Sequence, residues 1–153
     1  PLSDEEAATL ARFSVICVSL DTLDADLLRR IRRGLELEVL ETNLRRIRDF
    51  SGEFSPYFAL SSGVYDKTVI GLESLGDFCQ KYDIKRITFW QLVKYPDVPD
   101  GLNARSIPSL PEPERRACVE AFEMALISIR AKGITVEVAG EFLHEWKKTL
   151  SAG

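Results

Sequence analysis

Apolar residues along this chain follow two alternating rhythms. Phe13–Leu20 (FSVICVSL), Tyr57–Ser61, Arg86–Leu92 and Ile134–Val138 are short runs rich in β-branched and aromatic residues, which predicts four strands. Between them apolar residues recur at spacings of three and four. Leu37, Leu40, Leu44 and Ile47 make one stripe, Leu72, Leu75, Cys79 and Tyr82 a second, and Cys118, Phe122, Ala125 and Ile129 a third. Such spacing predicts helices with one buried face. Ser3 with Glu6 three residues on is a capping-box pattern and predicts a further helix over Ser3–Leu10. The phrases Lys81-Tyr-Asp-Ile-Lys-Arg-Ile-Thr and Lys132-Gly-Ile-Thr-Val each give a basic residue, a turn and an Ile-led strand, as a helix-to-strand return requires. Strands alternating with helices imply an α/β fold with parallel strands and right-handed crossovers. The run FSVICVSL is apolar except for its two serines, which suits a strand buried on both faces. Ser19, Asp21 and Thr22 then stand at the carboxyl edge, where parallel sheets and barrels place their chemistry.

Length sets the architecture. A complete eightfold barrel takes about 250 residues, about 31 per unit. The 153 residues here suffice for one domain, residues 1–153, holding four strand–helix units and hence half of a (β/α) barrel. Some of the excess length falls in the run 93–112, which carries Pro96, Pro99, Pro108 and Pro111 and follows a strand, placing it on the carboxyl face. Loops of that length are usually functional or disordered. The opening Pro-Leu-Ser-Asp-Glu-Glu already starts a helix and lacks a methionine, so the chain reads as a fragment of something longer.

Charge and side-chain chemistry narrow the classes. With 24 acidic against 20 basic residues the net charge is −4, which argues against general affinity for nucleic acid or an anionic membrane. No signal peptide and no uninterrupted 18-residue apolar run occurs, so the segment reads as cytoplasmic and soluble. Cys17, Cys79 and Cys118 share no metal-ligand spacing and read as small buried thiols. The arginines at 29, 30, 32, 33, 45, 46 and 48 read as a solvated face near helix ends. His144 has neither a metal-ligand partner nor a nucleophile motif beside it and reads as a surface helix residue.

The wording VSLDTLD, then LLRRIRRG, then LEVLETNLRRI closely resembles the fourth strand and fourth helix of radical S-adenosylmethionine (SAM) enzymes. Tyr57-Phe-Ala-Leu-Ser-Ser-Gly-Val-Tyr-Asp-Lys-Thr looks like strand five of that family, Ile84-Lys-Arg-Ile-Thr-Phe-Trp-Gln-Leu like strand six, and Gly133-Ile-Thr-Val-Glu-Val like the strand after helix six. The order spans nearly the whole chain. The resemblance implies an enzyme in which a [4Fe-4S] cluster cleaves SAM reductively to a 5′-deoxyadenosyl radical. It also implies roles for individual residues. Ser19 and Asp21 match polar positions near the SAM ribose and amino-acid group, Ser61 and Ser62 match strand-five positions facing that ligand, and Gln91 and Leu92 match the place where adenine is packed.

This sequence departs from the family in one respect. The C-x-x-x-C-x-x-C loop that supplies three thiolates to the cluster is absent, so the chain has no cluster ligands and cannot run the chemistry alone. The implied partner is a missing amino-terminal half of the barrel, or a second copy, and the implied substrate is a small molecule or peptide. Two other readings stand beside this one. The chain could be a non-catalytic half-barrel that docks through its sheet edges, or part of another barrel enzyme. No glycine-rich phosphate loop, paired catalytic carboxylates or Ser-His-Asp arrangement supports the last. Ser19 and Asp21 also admit a structural role, capping a helix that begins near Asp24.

Overall fold

A computed structural model describes residues 1–53, 55–91 and 105–151. Four strands form a parallel sheet in the order in which they occur along the chain. They are β1 (Val15–Ser19), β2 (Tyr57–Val64), β3 (Arg86–Gln91) and β4 (Thr135–Val138). Helices α1 (Asp4–Leu10), α2 (Ala25–Ile31), α3 (Leu37–Ser51), α4 (Ser74–Lys81), α5 (Glu112–Ala131) and α6 (Phe142–Ser151) precede, separate and follow the strands along the chain, with a 3-10 turn at Ile107–Ser109 before α5. The fold is α/β and half-barrel-like.

Local chemistry accounts for where the elements begin. Ser3 accepts from the Glu6 N–H and the Glu6 carboxylate accepts from the Ser3 N–H, so both halves of the capping box are made. Asp24 caps α2 by accepting from Asp26 and Leu27. This settles the capping role at the end of β1: it belongs to Asp24, and Asp21 takes no part in it. Gly133, at φ +76°, closes α5 and turns the chain into β4, a conformation that a residue with a Cβ resists.

Packing is one-sided. Phe58, Leu60 and Val64 of β2 and Ile87 and Phe89 of β3 are buried in one continuous cluster with Leu44 and Ile47 of α3, Leu75 and Cys79 of α4 and Phe122 and Ile129 of α5. Each of those strand side chains shares a face, because alternate residues on a strand point the same way. The opposite face carries Val15 and Trp90, which are 51% and 52% exposed, together with Cys17, Ser19 and Glu137. Here the structure corrects the sequence reading of β1. Phe13–Leu20 is not buried on both faces: Val18 and Leu20 are buried, while Val15, Cys17 and Ser19 are exposed on the face that no helix covers among the described residues. Cys17 is for the same reason an exposed thiol, and only Cys79 and Cys118 are buried. Strand β2 also runs three residues past its expected end at Ser61, to Val64.

Candidate functional site

The uncovered face is ordered into rows by the strand register. Ser19 pairs with Ser61, Ser61 with Thr88, and Thr88 with Glu137, so one polar side chain from each strand falls on a single line across the whole sheet. One row toward the amino ends lie Cys17, Ala59, Arg86 and Thr135, and one row toward the carboxyl ends Gly63 pairs with Trp90. The polar row is wired at its β3–β4 end. Thr88 Oγ1 lies 3.1 Å from Glu137 Oε2, and Arg86 Nη1 lies 3.6 Å from Glu137 Oε1. Cys17, Ser61, Arg86, Thr88, Trp90 and Glu137 border a shallow depression of about 570 Å³. Hydroxyls, a carboxylate, a guanidinium and an indole face around one hollow can hold a ligand that has both polar groups and a flat ring.

Above this row the ends of β1 and β2 are tied together through a side chain. Leu20 donates its N–H to the Ser61 carbonyl at 3.0 Å, continuing the parallel ladder. The next N–H of β2 along that edge, Gly63, donates at 2.7 Å to Asp21 Oδ1. Asp21 is 2% exposed, and its two oxygens also accept from Arg32, Nε at 2.8 Å and Nη2 at 3.2 Å. The Gly63 carbonyl is held as well, by the buried Thr68 hydroxyl at 3.0 Å. Thr68 in turn accepts from the Tyr65 N–H.

The six residues singled out from the sequence are distributed as follows. Ser19 and Ser61 are register partners on the uncovered face. Ser62 points to the other face and is fully buried, and its hydroxyl has no hydrogen-bond partner among the described residues. Asp21 lies at the sheet end with its oxygens committed to Arg32 and Gly63. Gln91 pairs with Val64 on the helix-covered parity of β3, and Leu92 lies outside the described residues, as does most of the proline-rich run. Arg86, Thr88 and Glu137 escaped the sequence reading, whereas Trp90 and Phe89 fall on opposite faces of β3 as their adjacency in a strand predicts, Trp90 exposed and Phe89 buried. The alternation, Arg-x-Thr-x-Trp in β3 and Thr-x-Glu in β4, was the available signal, since period two puts these residues on one face.

No protein-family model matches the chain, and no curated protein does. The site therefore has to be judged on its own residues.

A cluster does not fit them. Cys17 stands on the uncovered face, Cys79 in α4 and Cys118 in α5 are buried, and iron–sulfur ligands must converge in space on one cluster. Burial pushes the Cys79 thiol up to about 12, and burial also raises that of Cys118, which disfavours the thiolates that iron requires. Among the described residues no group of three His, Cys, Asp or Glu side chains could hold a metal ion. Of the seven arginines near the ends of α2 and α3, Arg32 is engaged with Asp21, while Arg29 pairs with Asp26 and Arg46 with Asp4. His144 is exposed on α6, and among the described residues no helix is long and apolar enough to cross a membrane.

Proposed function

We propose that the uncovered face binds SAM as the ligand-facing half of a radical SAM enzyme. The observation that carries the reading is the alignment of Ser19 with Ser61 in one row of a parallel sheet, beside Thr88 and Glu137. Two hydroxyls on adjacent strands can each donate to or accept from the vicinal hydroxyls of the SAM ribose. The exposed Trp90 face, one row higher, offers a surface for the adenine ring. The [4Fe-4S] cluster would supply the electron that cleaves SAM, and residues outside these 153 would have to hold it. The residues present bind and orient. Ser19 and Ser61 donate to or accept from the ligand, and Glu137, held by Arg86 and Thr88, sets the polarity of the far wall.

The test is titration of SAM into the full-length protein. Losing one hydrogen bond to a polar or charged ligand group costs about 1.5–3 kcal/mol, so Ser19→Ala should weaken binding about ten- to a hundredfold. Its melting temperature should hardly change, because Ser19 is exposed and caps nothing. Equal affinity in both proteins, or no affinity in either, ends this reading.

A second reading is favoured by a different feature. Among the described residues β1 and β4 are the two edges of the sheet, and Val15, Tyr57 and Trp90 are exposed on its uncovered face. Unpaired edges and an open apolar face are what a half-barrel that docks on a partner, on an amino-terminal half or on a second copy, would present. Sedimentation separates the two readings. Concentration-dependent association that SAM does not affect, in a protein that does not bind SAM, favours the docking module.

A further inference from the structure

We infer that Asp21 is a positioning residue, one that sets the Ser61–Gly63 rim without itself touching the ligand. The inference rests on the SAM-binding reading for its ligand, and on geometry for the rest.

A parallel ladder is made of backbone groups, yet at the end of β2 the Gly63 N–H is taken by a side chain, Asp21 Oδ1 at 2.7 Å. Asp21 is oriented by the guanidinium of Arg32, which reaches both carboxylate oxygens from the end of α2. Paired guanidinium–carboxylate hydrogen bonds fix orientation as well as distance. With Thr68 holding the Gly63 carbonyl at 3.0 Å, both backbone polar groups of Gly63 are fixed by side chains. Ser61 lies two residues earlier on the same face, its own carbonyl pinned by Leu20, so its hydroxyl is carried by a rim with little freedom to shift. A carboxylate that is 2% exposed with three donors already on it has no room to serve a ligand directly.

Coupling between two substitutions tests this. SAM is titrated into the full-length wild type, Asp21→Asn, Ser61→Ala and the double variant, each at a temperature where its melting curve shows it folded. Asparagine keeps the shape of Asp21 but sets an N–H donor against an Arg32 donor, so it loosens the latch. Each single variant should weaken SAM binding by about tenfold. The double variant should lose far less than the product of the two, because the latch acts through the Ser61 rim. A purely structural role would leave the losses multiplicative, at about a hundredfold, and so would a direct contact; either result overturns the inference, as does unchanged affinity in Asp21→Asn.

Should the wild type bind no SAM, the functional reading fails and hydrogen exchange decides the inference alone. The Gly63 amide should exchange faster in Asp21→Asn and in Arg32→Gln than in the wild type, and unchanged protection overturns the latch. Arg32→Gln, at a half-exposed position, also serves in the titration if Asp21→Asn does not fold.

Discussion

Phe89 and Phe122 meet edge to face, with ring centroids 5.4 Å apart and planes at 86°. This contact fastens α5 to the covered face of β3, and Phe122 goes on to touch Phe142 and Trp146 of α6. One ring therefore joins the sheet to two helices. Phe122 is fully buried. Phe122→Ala should lower the free energy of unfolding by about 3–5 kcal/mol, through lost apolar burial and the cavity left behind. Denaturant titration measures it, and a loss below 1 kcal/mol would mean that α5 and α6 are held by other contacts.

Gly133→Ala should also destabilise, by a different route. Nothing lies within 4 Å of the place where its Cβ would be, so space is not the obstacle; the φ of +76° is. Forcing an L residue into that region costs about 1–2 kcal/mol. Gly133→Asn, which tolerates the left-handed conformation better, should recover part of the loss in the same titration.

Thiol chemistry follows the one-sided packing. In the native protein a maleimide reagent at neutral pH should label Cys17 and leave Cys79 and Cys118 unlabelled until denaturant is added. Mass spectrometry after digestion reads this directly, and Cys17→Ser should leave the folded protein unlabelled. The buried Cys79 also makes stability depend on alkaline pH. Its thiol ionises near 9.0 when exposed and at about 12 in the fold, because burial opposes the charge. A pKa raised by folding contributes stability that is complete below pH 9 and is lost as pH rises toward 12. Cys79→Ala should flatten that alkaline decline relative to wild type.

Anaerobic reconstitution with iron and sulfide should leave these 153 residues without cluster absorbance near 400 nm. The three thiols lie on a strand and two separate helices and two of them are buried, so they cannot close on one cluster. Stoichiometric uptake abolished by replacing all three would refute this.

The sequence disclosed the period of each element better than the surroundings of each side chain. Capping at Ser3 and Glu6 was legible because it is local, three residues long and chemically specific. The four strands were legible because their β-branched and aromatic runs alternate with stripes of helical spacing. Burial was less so. FSVICVSL has the composition of a doubly covered strand, but whether a second layer covers it depends on elements far along the chain, which composition does not reveal. Ser61 and Ser62 stand next to each other in sequence and on opposite faces in the fold, so a likeness drawn over both at once could not separate them. Asp21 shows the same limit from another side. Its partners are Arg32 and Gly63, eleven and forty-two residues away, and nothing local announces either.

The sheet order also has a consequence for how the chain comes into being. Because β1, β2, β3 and β4 lie side by side in the order they are written, each strand finds its neighbour already made as synthesis proceeds. No strand must wait, unpaired, for a later segment to be inserted between it and its predecessor. The chain can thus assemble vectorially on the ribosome, growing at its β4 edge, with loop closures spanning one strand–helix unit at a time.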